Sequence, residues 1–295
     1  MKHLHPIAQF AAVFLAAAAT VIASPKSFTV TVTGSGRPMI LIPGLESSGA
    51  VWDGVVAHFQ SRYRLHVVTL AGFAGQPAVP GLRLSTVRDE IIAYIREQKL
   101  DHPVVVGHSL GGFLALWIAA AAPDLPQRVI SVDGLPFLPA LLSPGATAES
   151  SRAGAEQMRT MYSSMKPEPF AAAGRMALAM MISDKKNLDM AAEWAARSDP
   201  TFVAQAAYDL MTTDLRDEMK EIRVPVLLIG AGKSVAGDAE RLAALQAAYE
   251  RQVTGIPVHQ VVMATGALHF VMLDDPQFLF ETMEEFLGKE HGDAR

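Results

Sequence analysis

Gly107-His108-Ser109-Leu110-Gly111-Gly112 carries the residue types and the spacing for nucleophilic chemistry. An apolar β-branched run, Val104–Val106, precedes it, and an alanine-rich run from Phe113 to Ala119 follows. Strand, Gly-x-Ser-x-Gly, helix is the context of a nucleophile elbow, in which a serine sits on a tight turn with minimal side chains two residues before and two after. Gly107 and Gly111 meet that demand. The hydroxyl then projects at the positive end of the following helix, where developing negative charge is favoured. A serine hydroxyl is a weak nucleophile until a base takes its proton. Such a site therefore also needs a base, an acid that orients the base, and two N–H donors for the oxyanion.

Those groups must be positioned by regular elements. Ser27–Thr33 alternates as an edge strand, and Pro38–Ile42 reads as a short buried strand ending at Pro43-Gly44. Trp52–Gln60 reads as a helix and Leu65–Leu70 as a strand. In Leu84–Gln98, Val87, Ile91, Ile92 and Ile95 fall on one helical face. Val129–Val132, Val226–Ile229 and Val258–Met263 are further strands, and Ala239–Arg251 and Pro276–Leu287 further helices. Alternating strand and helix predicts an α/β fold with a doubly wound, mostly parallel sheet. Residues 137–222 break the rhythm: they are alanine- and methionine-rich, helical in period, and predict an insertion over one end of the sheet. The expected organisation is a core of 24–136 and 223–295 with a helical lid of 137–222.

The elbow, the Pro-Gly turn after an early strand, and a late histidine in Gly266-Ala267-Leu268-His269-Phe270 follow one another as in the α/β-hydrolase superfamily, which the chain resembles over roughly residues 27–288. The resemblance implies a serine esterase- or lipase-like catalytic triad. It implies Ser109 as nucleophile and His269 as base, since His269 follows the last strand and precedes Leu273-Asp274-Asp275-Pro276. It implies an oxyanion hole from the backbone N–H groups of Leu45 and Leu110. The family often has His-Gly where this chain has Pro43-Gly44, but the donor there is backbone.

The acid is where the chain departs from the commoner pattern. Many relatives carry an Asp after the strand equivalent to Val226–Ile229; here Ser234 stands at that place and Asp238 follows four residues later. Some relatives, haloalkane dehalogenases among them, place the acid after the earlier strand, where this chain has Asp133. Asp133 is the expected acid, with Asp238 as the alternative. A third possibility is a binding protein on a hydrolase scaffold that has lost its acid. A serine in the elbow, and not an aspartate, disfavours dehalogenase chemistry.

The remaining histidines read more plainly. His108 is expected to pack or hydrogen-bond locally, and His58, His66, His102 and His259 to lie at the surface or at element edges. Gly72-Phe73-Ala74-Gly75 is expected at the rim of the site mouth. The methionines of the insertion (Met158, Met161, Met165, Met176, Met180, Met181, Met190, Met211 and Met219) suit either an adaptable acyl or aromatic pocket or ordinary helix core, as do Phe170 and Trp194.

Composition bounds the rest. The 295 residues are 50% hydrophobic and 19% charged, enough for one large α/β domain. Lys2 and two histidines precede an apolar run from Ile7 to Ile22, and Val21 and Ala23 are small enough for cleavage before Ser24. Residues 1–23 are thus expected to be a signal peptide, too short for a spanning anchor, and the protein to be periplasmic or secreted without stable membrane insertion. Removing them takes one lysine and no acid, so the formal charge moves from −5 to −6. That disfavours a nucleic-acid partner. The chain has no cysteine, which excludes disulfides, thiolate metal sites and a cysteine nucleophile. Gly232-Lys233-Ser234 lacks the earlier glycine of a phosphate loop, since Leu227 stands there, and Gly34-x-Gly36 is a strand turn. No metal and no cofactor is expected. The expected activity is cleavage of a carboxylic ester or related acyl bond of a small molecule, with amidase or peptidase, lactonase and acyltransferase chemistries sharing the same machinery.

Overall fold

The computed structural model describes residues 27–288, so the expected signal peptide lies outside the described residues. In chain order the elements are β1 (Phe28–Gly34), β2 (Arg37–Ile42), α1 (Asp53–Phe59), β3 (Tyr63–Leu70), α2 (Leu84–Glu97), β4 (Val104–His108), α3 (Leu110–Ala121), β5 (Arg128–Val132), α4 (Pro139–Leu142), α5 (Ala148–Ser163), α6 (Pro167–Leu178), α7 (Lys185–Ala196), α8 (Pro200–Thr212), β6 (Val226–Ala231), α9 (Ala239–Val253), β7 (His259–Ala264), α10 (Val271–Asp274) and α11 (Pro276–Gly288). The strands form one seven-stranded sheet in the order β1-β3-β2-β4-β5-β6-β7. Only β1 runs antiparallel, at one edge. The doubly wound, mostly parallel architecture is the one expected.

The central strands are continuous apolar runs because both faces of the sheet are covered. Side chains alternate between the faces. Ile40, Ile42, Val105, Val129 and Leu228 pack on one side with Val87 and Ile91 of α2, Phe113 and Leu116 of α3 and Val253 of α9. Met39, Leu41, Val106, Ile130, Val132, Leu227 and Ile229 pack on the other with Phe59 of α1 and Leu279, Met283 and Phe286 of α11. The register aligns the strand ends: Ile42 pairs with Gly107, His108 with Val132, and Val132 with Ile229. Pro43–Glu46, Ser109 and Asp133 therefore leave the sheet along one carboxyl edge, where open α/β sheets place their ligands.

Segment 137–222 is helical throughout its regular structure, with α4–α8 and a closing 3-10 turn, Arg216–Glu221. Its attachment corrects one expectation. The 72–75 loop does not border the cavity that holds the sequence-expected site residues. Phe73 is fully buried and packs on Phe202 at a ring distance of 5.0 Å. The same loop clamps the α7–α8 turn: Asp199 N–H donates to Gly72 O (2.7 Å), Gly75 N–H to Arg197 O (3.0 Å) and Ala74 N–H to Ser198 Oγ (2.9 Å). A large apolar side chain in a loop gains most by burial, which makes this loop an anchor.

His66 is a second correction. It lies inside the sheet, 1% exposed, with Nδ1 2.7 Å from the Tyr94 hydroxyl. Its strand leaves one face under α2, and Tyr94 supplies the polar partner that permits burial.

A further tie joins α8 to α2. Arg83, the N-cap residue of α2, offers no side-chain cap, and Asp209 supplies it from α8: Leu84 N–H donates to its Oδ2 at 3.0 Å. Arg83 Nε and Nη2 and Gln205 Nε2 also donate to this carboxylate, at 2.6–3.0 Å. Asp209→Ala removes the acceptor and is expected to cost about 1–3 kcal/mol, seen as a lower urea midpoint at unchanged m-value. Arg83→Ala should cost less, about 1 kcal/mol or below, because that guanidinium is half exposed.

Candidate active site

The elbow is built by backbone contact. Ser109 has φ 53° and ψ −117°, a conformation L-residues rarely adopt. It persists because the chain around it has no side chains to clear. A Cβ on Gly107 would stand 2.0 Å from Gly111 O, and one on Gly111 2.2 Å from Ile42 O. Ser109 N–H donates to Val132 O (2.8 Å), and Phe113 N–H to Ser109 O (2.9 Å). The serine thus caps α3 while its hydroxyl faces the space above the sheet.

Leu110 opens α3, and among the described residues its N–H does not donate to a backbone carbonyl. The same holds for Leu45. Leu45 lies in a tight turn closed by Ser47 N–H to Gly44 O (3.2 Å), with Glu46 at φ 60°. Gly44 lets this turn lie against the elbow, since a Cβ there would come within 2.8 Å of His108 Nδ1 and 3.2 Å of Ser109 Cβ.

Asp133 ends β5 in the left-handed region, φ 51°. Its carboxylate is almost wholly buried and fully engaged. Oδ2 lies 2.5 Å from His269 Nδ1, while Oδ1 accepts from the Tyr249 hydroxyl (2.6 Å) and Ala231 N–H (2.8 Å). Burial alone would raise its pKa; the bond from His269, that imidazole's charge, and the Tyr249 and Ala231 donors outweigh it and hold the carboxyl below the usual range. Tyr249 is pushed well above the ordinary phenol value by burial and by the neighbouring carboxylate, so it stays a donor.

Asp238 stands apart from this constellation: its Oδ1 caps α9 by accepting from Arg241 N–H (3.0 Å), and Ser234 lies in a 3-10 turn. Donation of Nδ1–H to Asp133 leaves His269 Nε2 for the cavity, which Ser109 and His269 both border. No hydrogen bond joins Ser109 Oγ to His269 among the described residues; such contacts commonly tighten only around a reacting group.

The loop bearing His269 is held from two sides. His108 Nε2–H donates to His269 O (3.0 Å), a partner far away in sequence and not the local one expected. Phe270 N–H donates to Met181 O (3.3 Å) from the segment after α6. His108 is fully buried, and burial followed by the nearby His269 lowers its pKa to about 3, so it is neutral.

The shared cavity has a volume of about 420 Å³. Its lining includes Leu45, Glu46, Ser109, Asp133, Tyr249 and His269, and α5, α6 and α8 add Met158, Tyr162, Ala177, Leu178, Val203, Ala207 and Leu210, with Met181 from the segment after α6. Of the nine methionines of the segment, Met158 and Met181 reach it. Met176 and Met180 point to solvent, Met219 is core, and so are Phe170 and Trp194. Among the described residues Glu46 has no hydrogen-bond or ion-pair partner, and burial raises its pKa to about 7. Tyr249, Glu46 and Tyr162 escaped sequence reading, because no motif or period marks them. Among the described residues, no three His, Cys, Asp or Glu are grouped to hold a metal ion, and no helix is long and apolar enough to cross a membrane.

Comparison with known proteins matches residues 39–282 to the alpha/beta hydrolase family. The pimeloyl-[acyl-carrier protein] methyl ester esterase of Aeromonas hydrophila subsp. hydrophila is 29% identical over 267 residues, 89% of this chain and 100% of that one. The enzyme of that name from Vibrio vulnificus is 24% identical over 257 residues, 87% and 96% of the two chains. Two solved structures share the fold. The enol-lactonase of Burkholderia xenovorans LB400 has a TM-score of 0.71 at 18% identity, covering 89% of this chain and 96% of its own. A thermophilic esterase from Thermogutta terrifontis has 0.69 at 20%, covering 88% and 93%.

The neutral, buried His108 has a consequence for stability. Its folded pKa of about 3 lies far below the unfolded value of about 6.5. Below about pH 6.5 the unfolded chain takes up a proton that the folded one refuses, so this contribution is complete above that pH and is lost as pH falls towards 3. His108→Gln, whose amide nitrogen can take the place of Nε2 as donor to His269 O, should make the fall of unfolding free energy between pH 6 and 4 shallower by about 1 kcal/mol per pH unit. Urea titrations at stepped pH measure it.

Proposed function

The chain belongs to the alpha/beta hydrolase family, and from that premise we propose that it is a serine hydrolase cleaving carboxylic esters of small molecules through an acyl-enzyme. The observation that carries the proposal is the Asp133–His269 pair, which borders one cavity together with Ser109 on its elbow. The esterase names of the relatives, matched over most of both chains, support the ester as the bond cleaved. The reading of a scaffold without its acid loses its support, because it rested on the missing Asp at Ser234, and Asp133 meets His269 instead.

In this mechanism His269 Nε2 accepts the Ser109 hydroxyl proton as Oγ attacks the ester carbonyl. Asp133 fixes the tautomer that leaves Nε2 free and stabilises the imidazolium. Tyr249 and Ala231 N–H occupy the other carboxylate oxygen, so the anion stays directed at Nδ1. The N–H groups of Leu45 and Leu110 receive the oxyanion, and the N-terminus of α3 adds its field. Collapse breaks the C–O bond, His269 returns the proton to the leaving alcohol, and water repeats the sequence on the acyl-serine. Segment 137–222 acts as a lid that sets substrate size, a role supported by its share of the cavity lining. Export is part of the same proposal and rests on residues 1–23 alone.

A fluorophosphonate should label Ser109, and Ser109→Ala should lower kcat on short-chain p-nitrophenyl esters by about 10³-fold or more while the thermal transition is retained. Matched amides and lactones assign the bond type. Turnover near wild type in folded Ser109→Ala would end the serine mechanism. Asp133→Asn should lower kcat by up to about 10⁴-fold, whereas Asp238→Asn should leave kcat within about twofold, as expected of a helix cap far from the chemistry.

A further inference from the structure

The cavity beside Ser109 holds one carboxyl side chain that acyl transfer does not use. Glu46 is the residue after Leu45, in the turn Gly44–Ser47, and lines the same cavity as Ser109 and His269. Its Oε2 lies 3.7 Å from where a Cβ on Gly174 would stand, so the carboxylate faces bare backbone of α6. Among the described residues, no hydrogen bond or ion pair engages this carboxylate, and no lysine or arginine lines the cavity. Apart from the triad and its support from His108 and Tyr249, the only other polar side chain in the lining is Tyr162.

A carboxylate withdrawn from water is costly unless an opposite charge or a donor meets it. Asp133, in the same cavity lining, shows the satisfied case, with three donors. Glu46 has none, and burial raises its pKa to about 7. The lining supplies no cation, so a positive charge that meets this carboxylate would come with the ligand. An aromatic ring in the same lining favours a cation too, through its electron-rich face. A substrate ending in a carboxylate would be repelled by the same group.

We propose that Glu46 is a specificity residue and that the cavity takes esters carrying a positively charged nitrogen, held by the Glu46 carboxylate beside the Tyr162 ring. This deepens the esterase reading and rests on it.

The test compares two cationic esters with their neutral carbon isosteres. Butyrylcholine is set against 3,3-dimethylbutyl butyrate, and methyl 6-aminohexanoate against methyl heptanoate. At pH 8 the wild-type protein should show kcat/KM at least tenfold higher for one cationic ester than for its isostere. That ratio should fall at least tenfold in Glu46→Gln and be partly kept in Glu46→Asp. A wild type that prefers both neutral isosteres, or a ratio unchanged in Glu46→Gln, would overturn the proposal. A binding arm separates this outcome from failure of the esterase reading. Calorimetry with hexyltrimethylammonium should show binding at least tenfold tighter to wild type than to Glu46→Gln, whether or not any ester is turned over. Absence of that difference would also overturn the proposal, while fluorophosphonate labelling of Ser109 reports separately on the esterase reading.

Discussion

The site depends on one steric constraint, the backbone-to-backbone approach at the end of β4. Gly107 lies against the backbone of Gly111, and Gly111 against that of Ile42, so closely that neither tolerates a Cβ, and Ser109 between them is held at a φ that disfavours every L-residue. A non-glycine residue in this region costs about 1–3 kcal/mol. The cost is borne by the surroundings: β4 is paired on both sides by parallel strands, and α3 is buried along most of its length. A strand fixed on two sides and a helix fixed beneath it leave the turn no room to relax. Relaxation would let the serine hydroxyl and the Leu110 N–H swing away from a common point above the sheet. The register extends the constraint to Asp133 and the Leu45 turn, because their strands end level with β4.

Two carboxylates in one cavity show how local donors decide acid chemistry. Asp133 is the more buried, yet its carboxyl is held below the usual range because His269, Tyr249 and Ala231 saturate both oxygens. Glu46 is less buried and is raised, because burial acts on it alone. Desolvation works on both; the hydrogen bonds to Asp133 and the charge of the His269 imidazole separate them. Pairs of titratable groups pushed in opposite directions are a common basis for dividing roles within a site. Here the division places, in one cavity, a carboxylate held in its charged form against His269 and a carboxyl whose ionisation is opposed by burial.

Much of this arrangement is legible in the amino-acid sequence, for physical reasons that also mark where reading stops. The parallel strands are apolar runs bounded by turns, and the elbow needs glycines at fixed offsets, so both leave local signatures. Asp133 over Asp238 follows from strand adjacency: one lies at the end of the neighbouring strand, while the other precedes α9 and is used as its cap. His66, Asp209 and Tyr249 are not legible in this way. Each is a polar residue whose burial depends on partners distant in sequence: Tyr94 for His66, Arg83 and the Leu84 N–H for Asp209, and Asp133 for Tyr249. The 72–75 loop reads as a rim because it follows a strand where the resembled family places a loop near the site mouth, while its burial is set by Phe73 meeting Phe202. Methionine content likewise cannot tell Met181, which reaches the cavity, from Met180, which faces solvent one residue away.

The helical segment and the base are mechanically joined. Ser183, between α6 and α7, donates through N–H and Oγ to Asp274 at 2.9 and 2.8 Å, and Lys233 Nζ donates to Ser183 Oγ at 2.7 Å. Asp274 Oδ2 also accepts from Leu268 N–H at 3.0 Å, one residue before His269. Asn187 of α7 donates to Leu273 O at 3.2 Å. At its far end the segment is fixed independently, by Asp209 on α2 and by the 72–75 loop. Individually these exposed or half-exposed polar contacts are weak. Their placement matters more, since they bracket His269 between the elbow, through His108, and the segment, through Asp274 and Met181. Displacement of the α6–α7 end would therefore drag the base with it, whereas α5 and α8 pack on each other away from that tie. The α5–α8 side, which lines the cavity through Met158, Tyr162 and Val203, is thus held by a different set of ties from those that hold the His269 loop.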